Sequence, residues 1–340
     1  MTDYQVTIIL IVSVVISYAI GLLTRWHASA YSWGLDKNHG VPRVGGLAIM
    51  SSVMIITTTL YGLRMDLVGV VTGSLLIAAV GLLDDVGLGR GPLVKLIVSL
   101  FAASITIYTT GVYVSHINTP ILSDLIALKP IAIVVSIFGL AGMSHAVNLI
   151  DGIHGLALSF SVIAFTAMSI IALSVGEVSI GLFSLIVACA CLGLFILNFP
   201  SGSIFLGDVG SYFLGFLGAW VAIHLCHNNP EISPWAMFCI FVYPIADVSY
   251  AAVRRLGNGN NPMKGDTEHL HHRILRVTDR LRHNNPKQII FASTLSCTLL
   301  ALVPALLATL NFSSPDLLMA LAVSSITSLV AINWIISVAA

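Results

Sequence analysis

Four short stretches of this 340-residue chain hold the side chains that could do chemistry. The first, GLLDDVGLGRGPLVKL, sets Asp84 beside Asp85, with Lys95 one loop later. Adjacent carboxylates can bind Mg²⁺ or take a proton, and an ammonium nearby can hold phosphate as a point charge. Acids that merely balance the bases of a loop would look similar, but this pair abuts a long apolar run. The second stretch, HAVNLIDGIHGLALS, puts Asn148 and Asp151 three apart, on one face of a helix end. The glycines that follow let backbone approach a ligand; a plain turn between helices is the bland alternative.

The third stretch, LNFPSGSIFLGDVGSYFLG, places Asp208 in a Gly-Asp-x-Gly-Ser turn that opens a helix. Free backbone N–H groups at such a start suit a phosphate–metal assembly, so Asp208 is the first choice for a metal ligand. Phe205 could stack on a base or simply pack, while Ser211, Gly215 and Gly218 read as helix-packing positions. The fourth, GDTEHLHHRIL, crowds His269, His271 and His272 beside Arg273. His269 and His272 would share a helical face, with His271 pointing elsewhere. Zinc sites on helices usually space two histidines four apart and need further ligands, and no HExxH or Cys/His set is present. Imidazoles beside an arginine are better suited to donating hydrogen bonds to phosphate oxygens.

Membrane helices must position these groups. The chain is 57% hydrophobic and 9% charged, with a mean hydropathy of +0.97. Apolar runs near the ~20 residues of a membrane span recur from end to end. Eleven spans are expected, near 4–24, 44–62, 67–83, 93–113, 130–148, 155–175, 179–198, 210–226, 235–253, 288–310 and 316–337. Continuous rather than alternating hydrophobicity argues against a β-barrel. The first span does not read as a cleaved signal, since Asp3 precedes it and Arg25 follows it. The expectation is an all-α integral membrane protein, one polytopic unit over 1–340, with no internal repeat. Its longest loop, 254–287, holds eight of the fifteen basic residues. The connection 114–129 reads as a hairpin or an interfacial segment.

Loop charge sets the orientation. With the N-terminus outside, the inner loops hold Arg25, Lys37, Arg43, Arg90, Lys95, Arg254, Arg255, Lys264, Arg273, Arg276, Arg280, Arg282 and Lys287; only Arg64 and Lys129 fall outside. The C-terminus is then cytoplasmic, and Asp84, Asp85, Asp151, Asp208 and Asp247 all lie at inner ends of spans. Ionisable groups there are costly to bury and mark function by default. A transporter would favour a midplane site between repeated halves, so chemistry on a membrane-bound anionic headgroup fits better. The five cysteines lie in or beside spans and read as small-residue packing.

In order and loop side, these stretches resemble the polyprenyl-phosphate N-acetylhexosamine-1-phosphate transferases. The similarity runs from DKNHGVPRVGGLAI (36–49) to EHLHHRI (268–274), nearer the GlcNAc-1-phosphate branch than the phospho-muramoyl-pentapeptide branch. The resemblance places the family's aspartate pair on Asp84 and Asp85, its NxxD motif on Asn148 and Asp151, and its Mg²⁺-binding aspartate on Asp208; Asp151 would complete the one or two carboxylates Mg²⁺ usually takes. With the resemblance, nucleotide-sugar contacts are expected on Asn148, Asn198, Phe205, His269, His271, His272 and Arg273; the basic inner-loop residues Arg43 and Lys95, expected at the lipid phosphate, and Arg254 and Arg255 would gather the anionic substrates. This chain departs from the family at His154, where relatives commonly carry a second Asp, and at Leu88, where they tend to be polar.

The resemblance implies a bacterial inner-membrane enzyme with its active site on the cytoplasmic face. It would move a sugar-1-phosphate, GlcNAc-1-phosphate first, from a UDP-N-acetylhexosamine to undecaprenyl phosphate and release UMP. Mg²⁺ is the expected cofactor, with Mn²⁺ able to substitute. The expected partners are the two substrates, the bilayer and a second copy of the chain, with no nucleic acid. A transporter or flippase for an anionic solute and a catalytically inactive family member remain as alternatives. Direct attack and a covalent aspartyl-phosphate route are both open at this stage.

Overall fold

The computed structural model describes residues 3–36, 40–61, 65–89, 91–259, 268–281 and 285–339. Lys37, Arg64, Arg90, Lys264 and Arg282, used above to orient the chain, lie outside these residues. The described residues form α-helices and one isolated β-bridge, Leu35 with Pro42. In order these are α1 (Asp3–Tyr31), α2 (Gly46–Tyr61), α3 (Met65–Asp85), α4 (Pro92–Thr110), α5 (Pro120–Ile126), α6 (Lys129–Ile150) and α7 (Leu156–Ser174). There follow α8 (Val178–Asn198), α9 (Gly207–Asn228), α10 (Pro234–Ile240), α11 (Val242–Gly257), α12 (Leu270–Leu281), α13 (Pro286–Leu310) and α14 (Pro315–Ala339).

Nine of these helices are long and apolar enough to cross a bilayer: α1, α3, α4, α6, α7, α8, α9, α13 and α14. The α10–α11 pair adds a tenth if taken as one span. Two expected spans differ in form. The run at 44–62 becomes the 16-residue α2, and the run at 235–253 is broken at Phe241 into helices meeting at 74°. Two expected loops also acquire helices, α5 within 114–129 and α12 within 254–287.

Burial grades across the bundle. The helix α9 is buried almost along its length, against α3 and α6. Small residues permit this closeness: a Cβ on Gly215 would sit 2.5 Å from the Met143 carbonyl oxygen of α6. By contrast α1, α13 and α14 expose large apolar side chains such as Ile11, Leu310 and Trp334, as expected of surfaces solvated by lipid. All five cysteines are buried and free.

Two short connections bring the chemistry to one end of the bundle. Ahead of α2, residues 42–46 pair with residues 205–206: Phe205 N–H donates to the Pro42 carbonyl (2.7 Å), Gly45 N–H to that of Phe205 (2.9 Å) and Gly46 N–H to that of Leu206 (2.8 Å). The helix α12 is amphipathic, burying Leu270, His271, Arg273 and Ile274, and packs on α13 and α14. Its buried histidine face meets the turn after α6.

Candidate active site

Asp208 stands in the first turn of α9, as its glycine-flanked turn foretold. Four partners from four elements converge on its carboxylate or its backbone. Lys95, projecting from α4, bridges Asp84 and Asp208, with Nζ at 2.6 Å from one carboxylate and 2.7 Å from the other. Asn148, near the end of α6, donates to Asp208 Oδ1 at 3.0 Å and to Ser211 Oγ at 2.9 Å. Arg43 reaches Asp208 at 3.4 Å and Asp85 at 3.6 Å.

The paired acids divide their work. The Asp85 carboxylate is wholly buried and accepts the backbone N–H groups of Asp208 (3.0 Å) and Val209 (2.9 Å). It thus satisfies two of the donors that an α-helix start leaves unpaired. Asp84 keeps an exposed edge, with 32% of its side chain accessible. Beneath Lys95, the Tyr212 ring lies 5.7 Å from the ammonium, and Tyr212 OH and Ser99 Oγ flank the His145 ring at 3.4 and 3.2 Å.

Beside this cluster opens a polar cleft of about 290 Å³, lined by Asp36, Arg43, Asp151, Gly152, Ile153, His154, Asn198, Phe205 and Gly207. The His154 and Phe205 rings face each other at 5.1 Å, and His154 Nδ1 lies 3.3 Å from the Pro200 carbonyl. Asn198 braces the wall with its own amide: Oδ1 accepts Gly155 N–H (2.6 Å) and Nδ2 donates to the Ile204 carbonyl (2.7 Å). Asp151, at the C-terminus of α6, has its carboxyl held well above the usual carboxylate range, first by burial and then by the charge of Asp208. Leu88 is exposed beyond the end of α3.

Four carboxylates therefore face two cations in one place. Among the described residues no group of three or more acid, His or Cys side chains forms a ready cage for a metal. Mg²⁺ needs none, since it takes one or two carboxylates and keeps water and phosphate for its other positions. Asp208 and Asp151 could offer such a pair, and the repulsion Asp151 feels from Asp208 is what a divalent cation would relieve.

The histidine motif docks against the same cleft. His271 is fully buried, and among the described residues neither ring nitrogen has a hydrogen-bond partner. It presses on the turn after Asp151: a Cβ on Gly152 would lie 2.1 Å from His271 Nε2. Burial, with the charge of His272 next, pushes the His271 pKa down to about 3, so the ring is neutral. The rings of His269 and His271 stack at 5.7 Å and 12°, unlike the expected pairing of His269 with His272 on one face. The reason is that His269 precedes α12, held by Asp247, which accepts His269 Nδ1 (2.9 Å) and Leu270 N–H (2.8 Å). Arg273 turns away, donating to the Asn333 carbonyl of α14 (3.1 Å) and lying 3.2 Å from Glu268. Glu268, hydrogen-bonded by Arg276, is held below the ordinary glutamate range.

The structure thus brings Asp84, Asp85, Asp208, Asn148, Lys95 and Arg43 into one cluster, with Asp151, Phe205, Asn198, His271 and His272 around the adjoining turn and cleft. Three further participants carried weak sequence signals. Ser211, read as packing, holds Asn148; His145 supports Tyr212; and Asp247 was visible only as a buried membrane acid.

A bundle of long apolar helices with a carboxylate- and base-rich pocket at one end defines a multi-pass membrane protein. The pattern of glycosyl transferase family 4 matches residues 67–226. A probable undecaprenyl-phosphate N-acetylglucosaminyl 1-phosphate transferase of Bacillus subtilis is 32% identical over 69% of this chain and 66% of its own length. A decaprenyl-phosphate N-acetylglucosaminephosphotransferase of Mycolicibacterium smegmatis is 31% identical over 75% and 70%. A phospho-N-acetylmuramoyl-pentapeptide-transferase of Staphylococcus carnosus is 33% identical over 61% and 68%. The chain belongs to the polyprenyl-phosphate N-acetylhexosamine-1-phosphate transferase family, and by that membership it is a glycosyl-1-phosphate transferase.

Proposed function

We propose that this enzyme transfers GlcNAc-1-phosphate from UDP-GlcNAc to undecaprenyl phosphate, releasing UMP, on the cytoplasmic face of a bacterial inner membrane. The observation that carries this reading is the Asp84–Lys95–Asp208 bridge beside a cleft walled by Phe205 and His154. The names of the relatives supply the substrate class. The basic inner loops support an outside N-terminus and a cytoplasmic C-terminus, with α2 and the bent α10–α11 pair completing eleven crossings in one domain.

In this mechanism an oxygen of the lipid phosphate attacks the sugar-bearing phosphorus of the diphosphate. The bond from that phosphorus to the bridging oxygen breaks, and UMP carries the bridging oxygen away. Mg²⁺, held by Asp208 and Asp151, would neutralise charge on the diphosphate. Lys95 and Arg43 draw the two anions together. A phosphate monoester loses its second proton near pH ~6, so Asp84 has little proton to remove. Asp85, sealed under α9, acts by holding Asp208 in place, which favours direct attack over an intermediate on that residue.

Phe205 and His154 receive the base. His271, whose ring nitrogens have no hydrogen-bond partner among the described residues, supplies a hydrogen bond to the nucleotide-sugar side, with His269 and His272 beside it. Asn198 serves by bracing this wall, and Arg273 by tying α12 to α14. An apolar cavity of about 230 Å³ at the α10–α11 bend, lined by Met143, Ala222, Phe238 and Phe241 among others, suits isoprenoid units of the acceptor.

The test uses purified protein in detergent with undecaprenyl phosphate, Mg²⁺ and a panel of UDP-sugars, following UMP and lipid-linked sugar. Release that depends on lipid and metal, and falls by about 100-fold or more in Asp208→Asn, is the expected result. No release with any donor would overturn the reading in favour of transport or a scaffold.

A further inference from the structure

Asp247 lies on α11, outside the motifs that carry the proposed chemistry, yet its carboxylate is 1% exposed and fully engaged. One oxygen accepts the backbone N–H of Leu270 at 2.8 Å, capping the first turn of α12. The other accepts from His269 Nδ1 at 2.9 Å and lies 3.9 Å from His271 Nδ1. A buried carboxylate that accepts from Nδ1–H fixes the imidazole tautomer, leaving Nε2 as the nitrogen that exchanges a proton or accepts a hydrogen bond. His269 in turn stacks on His271, which presses on Gly152 beside Asp151. A continuous line of contacts thus runs from α11 to the turn carrying a proposed metal ligand.

We propose that Asp247 is the positioning residue of the histidine motif. It sets the tautomer of His269 and the start of α12 together, and through them the placement of His271 against the Gly152 turn. This assignment rests on the transferase reading above. It separates two of the histidines by role: His269 is hydrogen-bonded by the acid, whereas His271 is held chiefly by packing, with the same carboxylate at 3.9 Å. The arrangement follows the general logic by which an acid behind a histidine fixes its orientation and stabilises its protonated form.

Asp247→Asn tests this, because asparagine keeps an oxygen for the Leu270 N–H but turns an amide donor toward His269 Nδ1. That inverts the His269 tautomer while preserving the cap. In full-length protein in detergent, the variant should keep its melting temperature and its KM for undecaprenyl phosphate. Its kcat/KM for UDP-GlcNAc should fall by about 10- to 100-fold, the usual effect of losing a partner one shell removed. His269→Asn, which still offers a donor to Asp247, should lose activity to a similar extent. The double variant should be no worse than the poorer single one, since the two residues act as one unit.

Unchanged donor kinetics in Asp247→Asn would overturn the proposal, as would losses that multiply in the double variant. A drop in activity matched by a drop in melting temperature in Asp247→Asn, with His269→Asn fully active, would reduce Asp247 to a structural cap and also overturn it. Wild-type enzyme and Asp208→Asn run alongside: an inactive wild type refutes the transferase reading itself, whereas an active wild type with an indifferent Asp247→Asn refutes only this assignment.

Discussion

The carboxylate of Asp85 caps the helix that presents Asp208, accepting the Asp208 backbone N–H at 3.0 Å across 123 residues of sequence. One acid of the site is thus spent on aiming another. Its neighbour Asp84 faces the opposite task, holding Lys95 at 2.6 Å where the ammonium also meets Asp208. Two adjacent, chemically identical side chains are therefore separated by the direction each leaves the end of α3.

That separation predicts unequal consequences. Asp85→Ala removes both acceptors at the start of α9 and should destabilise the protein by about 1–2 kcal/mol, with activity lost. Asp84→Ala, at a partly exposed position, should change stability by less than about 1 kcal/mol while still impairing turnover. Thermal melts in detergent beside UMP release would check the pair; equal destabilisation would contradict the division of roles.

Gly152→Ala should act on His271. The added methyl would occupy the space of the imidazole edge, 2.1 Å from Nε2, so the ring or the turn must shift. A displacement near 1 Å at a reacting site costs roughly 100-fold in rate. Steady-state kinetics should show kcat/KM for the UDP-sugar falling on that order, with the protein still inserted and folded.

Phe205→Ala should weaken the donor without touching the acceptor. Stacking of a base on an aromatic ring is worth about 1–3 kcal/mol, so KM for the UDP-sugar should rise about tenfold or more. KM for undecaprenyl phosphate should stay put. His154→Asp removes the ring packed on Phe205 and should also change donor KM, with Phe205 and His154 effects coupled in a double-mutant cycle.

Stability should fall in mild acid through His271. Its pKa is about 3 in the folded protein against an ordinary value of 6.5. The folded ring stays neutral while the unfolded one takes up a proton, so its contribution is complete above pH 6.5 and is lost as pH falls from there toward 3. The slope from this one group approaches about 1.4 kcal/mol per pH unit. Melting temperatures between pH 7.5 and 5 should decline, and His271→Asn should flatten that decline.

Much of this was legible in the linear chain because it depends on local composition. A run of apolar residues partitions into lipid whatever its neighbours, so most spans were foreseeable, as was the start of α9 in its Gly-Asp turn. The grouping of Asp84, Asp85, Asp151 and Asp208, with Asp247 behind the histidine motif, also followed, since each was read at an end of a span on one side. The break at Phe241 was hidden, because the uncharged run of α10 continues without interruption into the apolar start of α11.

What only the tertiary structure decided is which partner each polar group takes. Arg273 sits in the histidine motif, yet its guanidinium reaches the Asn333 carbonyl 60 residues on. His269 leaves the helical face its spacing implied because Asp247, on another helix, offers a buried carboxylate. Partitioning into a membrane is a property of each segment and can be summed along the sequence. Hydrogen-bond pairing in a buried site is a property of positions in space, where an unpaired group costs about 1–3 kcal/mol and the nearest donor comes from whichever helix the packing brings there.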